Sequence, residues 1–317
     1  MEYRKKGTKM TIFKAAAVQA TPVPGDTQAT VTKVIELIDA LASQKVDLAV
    51  FPEAFIGGYP KGADFGITIG SRTPAGRQEF AFYAQQAIAV PGPETEAIAD
   101  AVREANLFMT IGVIERDGGT LYCTALYFTP DGFAGKHRKL MPTASERLVW
   151  GFGDGSTLAT VDTPWGSMGA VICWENYMPQ MRMAMYGQGI RIYCAPTADD
   201  RDSWVATMRH IALEGRCFVI SSCQYLTRTD FPDAIANHLS DNASDILMRG
   251  GALIIDPLGR IVVGPDYSGE TIITADLDTD DITRAQLDFD VVGHYARPDI
   301  FKLTVNSTHQ QLVTTNK

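Results

Sequence analysis

Apolar residues early in the chain switch between two periods. Over residues 13–20 they run almost continuously, which predicts a buried strand. Val31, Val34, Ile35, Ile38 and Leu41 then recur at helical spacing, with Asp26 or Thr27 placed to cap the helix. Residues 47–53 read as a second short strand, and residues 94–106, opened by Pro91-Gly92-Pro93, as a second helix. Strand-like segments follow at 108–115, 121–128 and 132–139, separated by the turn sequences Asp117-Gly118-Gly119 and Pro130-Asp131-Gly132. Residues 157–161 and 166–173 form a further expected pair, turned at Thr163-Pro164-Trp165-Gly166. A helix is expected at 179–187 and a strand at 190–195. Val205, Met208, Ile211 and Ala212 mark the inner face of another helix. Strands at 218–226, 252–255 and 271–275 complete the pattern. Residues 57–76 and 227–250 read as long loops, which in compact domains are usually functional or lie at interfaces. Alternating strands and helices with many hairpins predict an α/β fold, mixed sheets covered by helices. No repeat or linker interrupts the pattern. We expect a basic tail at 1–12, a single domain at 13–301 and a short tail at 302–317.

Composition narrows the function. Of 317 residues, 45% are hydrophobic and 21% charged, enough apolar material for a sizeable core. The formal charge of -9 argues against a nucleic-acid partner, because phosphate binding needs a basic patch. No apolar run is long enough to span a bilayer. Cys123, Cys173, Cys194, Cys217 and Cys223 are odd in number and scattered, the pattern of reduced thiols in a cytoplasm. Neither they nor His137, His210, His238, His294 and His309 show metal-ligand spacing, so no metal site is expected.

Three segments end an apolar or strand-like run on a reactive side chain. Glu53 closes Phe51-Pro52-Glu53, where poor solvation would raise a carboxyl pKa towards that of a general base. Lys139 follows His137-Arg138, and Leu140-Met141-Pro142 then carries the chain inward. Lys136 and Arg138 read instead as the solvated charges of an edge strand. Cys173 ends Val171-Ile172-Cys173 before Trp174-Glu175-Asn176. A helix end and nearby cations there would favour thiolate. The other four cysteines read as core residues.

A carboxylate, an ammonium and a thiol in this chain order resemble the catalytic set of the nitrilase (carbon–nitrogen hydrolase) superfamily. The matching segments are Phe51-Pro52-Glu53, Lys139-Leu140-Met141-Pro142 and Cys173-Trp174-Glu175-Asn176. Glu146 stands where many members carry a second glutamate. Gly58-Tyr59-Pro60-Lys61-Gly62, Leu148-Val149-Trp150-Gly151, Ala212-Leu213-Glu214-Gly215-Arg216 and Val292-Gly293-His294-Tyr295 resemble the nitrilase branch. The likeness implies a four-layer α-β-β-α sandwich of two mixed sheets. It implies Glu53 as base, Lys139 as fixed cation, Cys173 as nucleophile and Glu146 as their support, without cofactor or metal. Tyr59, Trp174 and Pro196 would line the pocket for a small nitrile. A homo-oligomer built from dimers, with the two long loops at spiral contacts, is implied as well. An amidase or carbamoylase would share the triad, and a binding module would share only the fold. A papain-type hydrolase would instead need His210 or His294 beside Cys173.

Overall fold

A computed structural model describes residues 11–242, 244–311 and 313. Most of the expected N-terminal tail lies outside them. Two six-stranded mixed sheets form the body. The first has the strand order Thr271–Asp278, Ile12–Gln19, Leu48–Val50, Phe108–Asp117, Thr120–Thr129, Gly132–Arg138. The second runs Ile261–Asp266, Ala252–Ile255, Phe218–Cys223, Ile190–Thr197, Gly166–Ala170, Val161–Thr163.

Side-chain alternation along the central strands builds the layers. In the first strand, Ala15 and Ala17 face a core shared with Ile192, Cys194, Phe218 and Ile220 of the other sheet. Ala16 and Val18 face outward, onto Val34, Ile38 and Leu41 of helix Thr27–Ser43 and Ile98 and Val102 of helix Pro93–Ala105. The second sheet repeats the arrangement. Tyr193, Ala195 and Val219 turn outward onto Met181 and Met185 of helix Pro179–Gly187 and Trp204, Met208 and Ile211 of helix Asp202–Gly215. Each sheet buries both faces, and the result is a four-layer α-β-β-α sandwich. Among the described residues no helix is long and apolar enough to cross a membrane.

Strand direction gathers three chain ends. Leu48–Val50 pairs in parallel with Phe108–Asp117. Gly132–Arg138 is antiparallel to the strand that is itself antiparallel to Phe108–Asp117, so it too runs the same way. Glu53 and Lys139 therefore both follow the carboxyl ends of like-directed strands. In the second sheet Gly166–Ala170 and Ile190–Thr197 are parallel, and Cys173 follows the first of them.

Several expected strands end early, each for a local reason. Residues 51–53 leave the ladder at Pro52, which has no N–H to give, and Ala54 adopts a φ of 50°. Strand Gly166–Ala170 stops before Cys173, which opens a 3-10 turn at a φ of 49°. Residues 155–157 form another 3-10 turn, capped by Asp154, so the paired strand is only Val161–Thr163. The long loop at 57–76 contains a small hairpin, Ile67–Thr68 with Ser71–Arg72. It also enters a helix, Pro74–Gln85, whose Thr73 cap accepts from Gly76 N. Aromatics on several sides blur that helix's periodicity. Strands Tyr225–Thr227 and Ile246–Arg249 pair across the second long loop.

Lys136 and Arg138 lie on an edge strand, as expected, but they are not solvated ornaments. Glu115 is buried, and Lys136 Nζ reaches its carboxylate at 2.5 Å while Arg138 binds it through Nε and Nη2 at 2.9 and 2.6 Å. Burial opposes the Glu115 charge, yet these two cations hold its carboxyl below the usual range. The edge strand carries the counter-charges of an inner strand.

Gly112 sets how closely the Glu53 turn packs. A Cβ there would lie 2.5 Å from both Ala54 N and Pro52 O and 2.6 Å from Glu53 Cα, all backbone atoms that cannot swing aside. Gly112→Ala should destabilise the protein by about 1–3 kcal/mol, the usual cost of overpacking, and displace Glu53. Denaturant titration alongside turnover checks this; native stability with native turnover would show that the turn has slack.

Candidate active site

Glu53, Lys139 and Cys173 meet where these strand ends converge. All three are buried, and Glu53 and Lys139 have no exposed surface. Lys139 Nζ donates to Glu53 Oε1 at 2.6 Å and to Glu146 Oε2 at 2.7 Å. Glu146 sits in the 3-10 turn Ala144–Leu148, where Oε2 also accepts from Thr143 N at 2.6 Å. Its Oε1 accepts from the Tyr59 hydroxyl at 2.7 Å. Tyr59 thus holds the carboxylate that holds the lysine. Burial and the neighbouring Glu146 charge raise the Tyr59 hydroxyl well above its ordinary pKa, keeping it a donor.

Backbone contacts fix the arms of this cluster. Lys139 N donates to Cys123 O, and Gly153 N to Lys139 O, both at 2.8 Å. Gln224, between strands Phe218–Cys223 and Tyr225–Thr227, donates through Nε2 to Glu53 O at 2.7 Å and to Ala54 O at 3.2 Å. Cys123 Sγ lies 3.4 Å from Glu53 Oε1. Glu53 Oε2 is buried without a hydrogen-bond partner among the described residues, leaving the carboxylate one free acceptor.

The Cys173 thiol accepts from Thr197 Oγ1 at 3.2 Å. Its positive φ belongs to a region that costs L-residues roughly 1–2 kcal/mol. Surrounding hydrogen bonds hold it there: Asn176 Nδ2 donates to Cys173 O at 2.7 Å and Val171 O at 2.8 Å, and Tyr193 donates to Asn176 Oδ1 at 2.9 Å. Backbone strain at a reactive side chain of this sort is a common mark of function.

Electrostatics depart from the expectation of a resting thiolate. Burial pushes the Cys173 thiol up, and the Glu53 charge pushes it further; Lys139 opposes both without overcoming them. The turn after Cys173 is five residues of 3-10 helix, too short to supply a strong positive end. Burial also raises Glu53, against the pull of Lys139. Burial works against the Lys139 ammonium, but the charge of Glu53 and its neighbours keeps it well above its ordinary value. Burial and the Glu53 charge thus favour the thiol form of Cys173, burial raises the basicity of Glu53, and the surrounding acidic groups favour the charged form of Lys139.

A cavity of about 470 Å³ opens beside the cluster, lined in part by Tyr59, Lys61, Glu146, Leu148, Trp174 and His238. Tyr59 and Trp174 are where a pocket wall was expected. Trp174 is oriented by its indole N–H on Asp199 at 2.8 Å and by the Arg201 guanidinium 4.9 Å from its ring. Pro196 is buried in its strand and does not line this cavity; the contact to the thiol comes from the next residue, Thr197. Among the described residues neither candidate histidine is poised for Cys173: His210 is exposed and lies 3.6 Å from Glu214, and His294 Nε2 lies 3.0 Å from Gln286 O. Sequence reasoning overlooked Cys123, Gln224 and the buried pair His137–Glu175. Cys123 carried one available signal, its place on the strand neighbouring Lys139.

A family model for carbon–nitrogen hydrolases matches residues 14–286. The chain belongs to the carbon–nitrogen hydrolase family. It is a hydrolase acting on carbon–nitrogen bonds. An aliphatic nitrilase of Sinorhizobium fredii (strain HH103) is 73% identical over 306 residues, 96% of this chain and 99% of that relative. A bifunctional nitrilase/nitrile hydratase of Nicotiana tabacum is 53% identical over 298 residues, 92% and 85% of the two chains. The crystal structure of a carbon–nitrogen hydrolase from Helicobacter pylori G27 shares the fold, with a TM-score of 0.71 at 17% identity over 93% of this chain and 98% of that one.

Because burial raises Glu53, the acid limb of kcat/KM in this hydrolase should fall on acidification through an apparent pKa above 4.5, the ordinary glutamate value. That apparent value belongs to the coupled cluster, not to one residue. A pH–rate profile checks it; an acid limb at or below 4.5 would remove Glu53 as the group that must be ionised.

Proposed function

We propose that this chain hydrolyses organic nitriles to carboxylic acids and ammonia through a covalent adduct on Cys173. The observation that carries the reading is the 73% identity, over nearly the full length of both chains, to a protein named aliphatic nitrilase. The buried Glu53–Lys139–Cys173 cluster supplies the chemistry it needs.

The nitrile carbon is a weak electrophile and needs a sulfur nucleophile at the moment of contact. Glu53 takes the Cys173 proton as the S–C bond forms. The electron pair displaced onto nitrogen is met by the Lys139 ammonium, a preorganised cation in a dry site, and the proton held by Glu53 passes to that nitrogen, giving a thioimidate and freeing Glu53 to act as base again. Water, deprotonated by Glu53, adds to the same carbon. The C–N bond of this tetrahedral adduct breaks with a proton delivered to nitrogen, releasing ammonia and leaving a thioester. A second water breaks the C–S bond, freeing the acid and restoring the thiol. Glu146 keeps Lys139 aimed, and Tyr59 keeps Glu146 aimed. The cavity beside Trp174 admits the substrate.

Assembly belongs to the same reading. Ile69, at the tip of the Ile67–Arg72 hairpin, is fully exposed, and Leu239 and Ile246 on the second long loop are exposed as well. Apolar side chains on both loops support contacts between copies in a homo-oligomer. Five free cysteines support a reducing, cytoplasmic setting.

Ammonia release from a panel of nitriles and matching amides, aliphatic nitriles first, tests the activity. Turnover of nitriles, reduced at least a thousandfold in a folded Cys173→Ala variant, is expected. Amide turnover without nitrile turnover would move the chain to the amidase reading. For assembly, sedimentation velocity should show Ile69→Glu shifting the native protein to smaller species; an unchanged distribution would place the contacts elsewhere.

A further inference from the structure

Lys139 follows a strand of one sheet and Cys173 follows a strand of the other, and the two sheets share no backbone ladder. Several side chains cross between the sheets, and one of them, Glu175, reaches the backbone beside both residues. Glu175 is buried, as is its partner His137. Glu175 Oε1 accepts from Leu140 N at 2.6 Å, and Oε2 accepts from Ile172 N at 2.8 Å. Leu140 directly follows Lys139, and Ile172 directly precedes Cys173. His137 Nε2 lies 3.2 and 3.1 Å from the two oxygens, and His137 is two residues before Lys139. Glu175 N also donates to Ile172 O at 3.1 Å, closing a reciprocal cap on the turn that begins at Cys173.

From this geometry we infer that Glu175 is a positioning residue that sets the placement of Lys139 relative to Cys173, and through it the ratio of acid to amide released. The carboxylate matches the task, because each oxygen accepts a different backbone N–H with no donor of its own to oppose one. Burial opposes its charge, while His137 and the two N–H groups hold the carboxyl below the usual range, so it stays an acceptor.

The inference rests on the proposed nitrile chemistry for its second half. The tetrahedral adduct carries sulfur, hydroxyl, amino and carbon substituents on one carbon. If a proton reaches nitrogen, the C–N bond breaks, ammonia leaves and a thioester forms. If the C–S bond breaks first, the electron pair returns to Cys173 sulfur, the thiol is re-protonated and an amide leaves. The cation and carboxylates around nitrogen decide between the two. Shifting Lys139 away from the adduct favours loss of sulfur, hence amide.

Glu175→Asp shortens the arm so that it no longer spans both N–H groups, and Glu175→Gln turns an N–H donor towards one of them. Each folded variant should show kcat lowered at least tenfold with KM within about threefold of native, and a several-fold larger amide fraction. The fraction is a property of each turnover, so a mere loss of folded enzyme does not move it. An amide fraction equal to native in both variants, or a kcat loss matched by the loss of titratable Cys173, would overturn the inference. Should neither variant fold, His137→Phe must raise the amide fraction, and His137→Gln, which keeps an N–H donor, must raise it less; native fractions in both would equally overturn it. If the native protein turns over no nitrile, the functional reading fails by itself. The positioning claim is then read from alkylation of Cys173 by iodoacetamide, which Glu175→Asp should slow about tenfold and an unchanged rate would refute.

Discussion

Everything near the site depends on one buried cation. The Lys139 ammonium has no exposed surface and lies between Glu53 and Glu146 at hydrogen-bond distance. Removing one partner of a buried ion pair typically costs about 3–5 kcal/mol, because the survivor is left charged and unpaired. The chain must therefore bring a strand end, an edge strand and a 3-10 turn to one point together. Tyr59 on Glu146, Gln224 on Glu53 O and the bare backbone face of Gly112 are the means by which it does so.

The same arrangement explains the state of the thiol. One ammonium and two carboxylates sum to a net negative charge in a dry setting. A thiolate added to that set is unfavourable, and the Cys173 pKa is driven up by burial and by Glu53. Under the proposed chemistry the proton moves to Glu53 only as the substrate carbon takes the sulfur electrons. In that reading the site favours the protonated form of Cys173 until substrate arrives. The strained backbone at Cys173 and the Thr197 contact aim the sulfur, which leaves charge control to the Glu53–Lys139–Glu146 cluster.

Legibility followed burial. Helix Thr27–Ser43 and the strands around residues 15 and 192 have one clean period and one cap, and their positions were readable to within a residue or two. Phe80, Phe82 and Tyr83 obscure the apolar stripe of helix Pro74–Gln85, and two strands stop short of their expected ends, one at Pro52 and one ahead of the positive φ at Cys173. Lys136 and Arg138 were read as solvent charges because their partner, Glu115, lies on a different strand 21 and 23 residues away.

The order and type of the reactive groups, Glu53 then Lys139 then Cys173 with Glu146 between, are properties of the sequence alone, as is the alternation that makes two double-faced sheets. Whether Cys173 rests as thiol or thiolate, which residue touches its sulfur, and what ties one sheet's lysine to the other's cysteine were decided only in three dimensions. The reason is physical. Side-chain period is a local property that each segment carries with it, whereas the charge state of a buried group is set by every neighbour within a few ångströms. Here those neighbours, Glu53, Lys139, Glu146 and Thr197, come from segments separated by up to 144 positions in the chain (197 less 53).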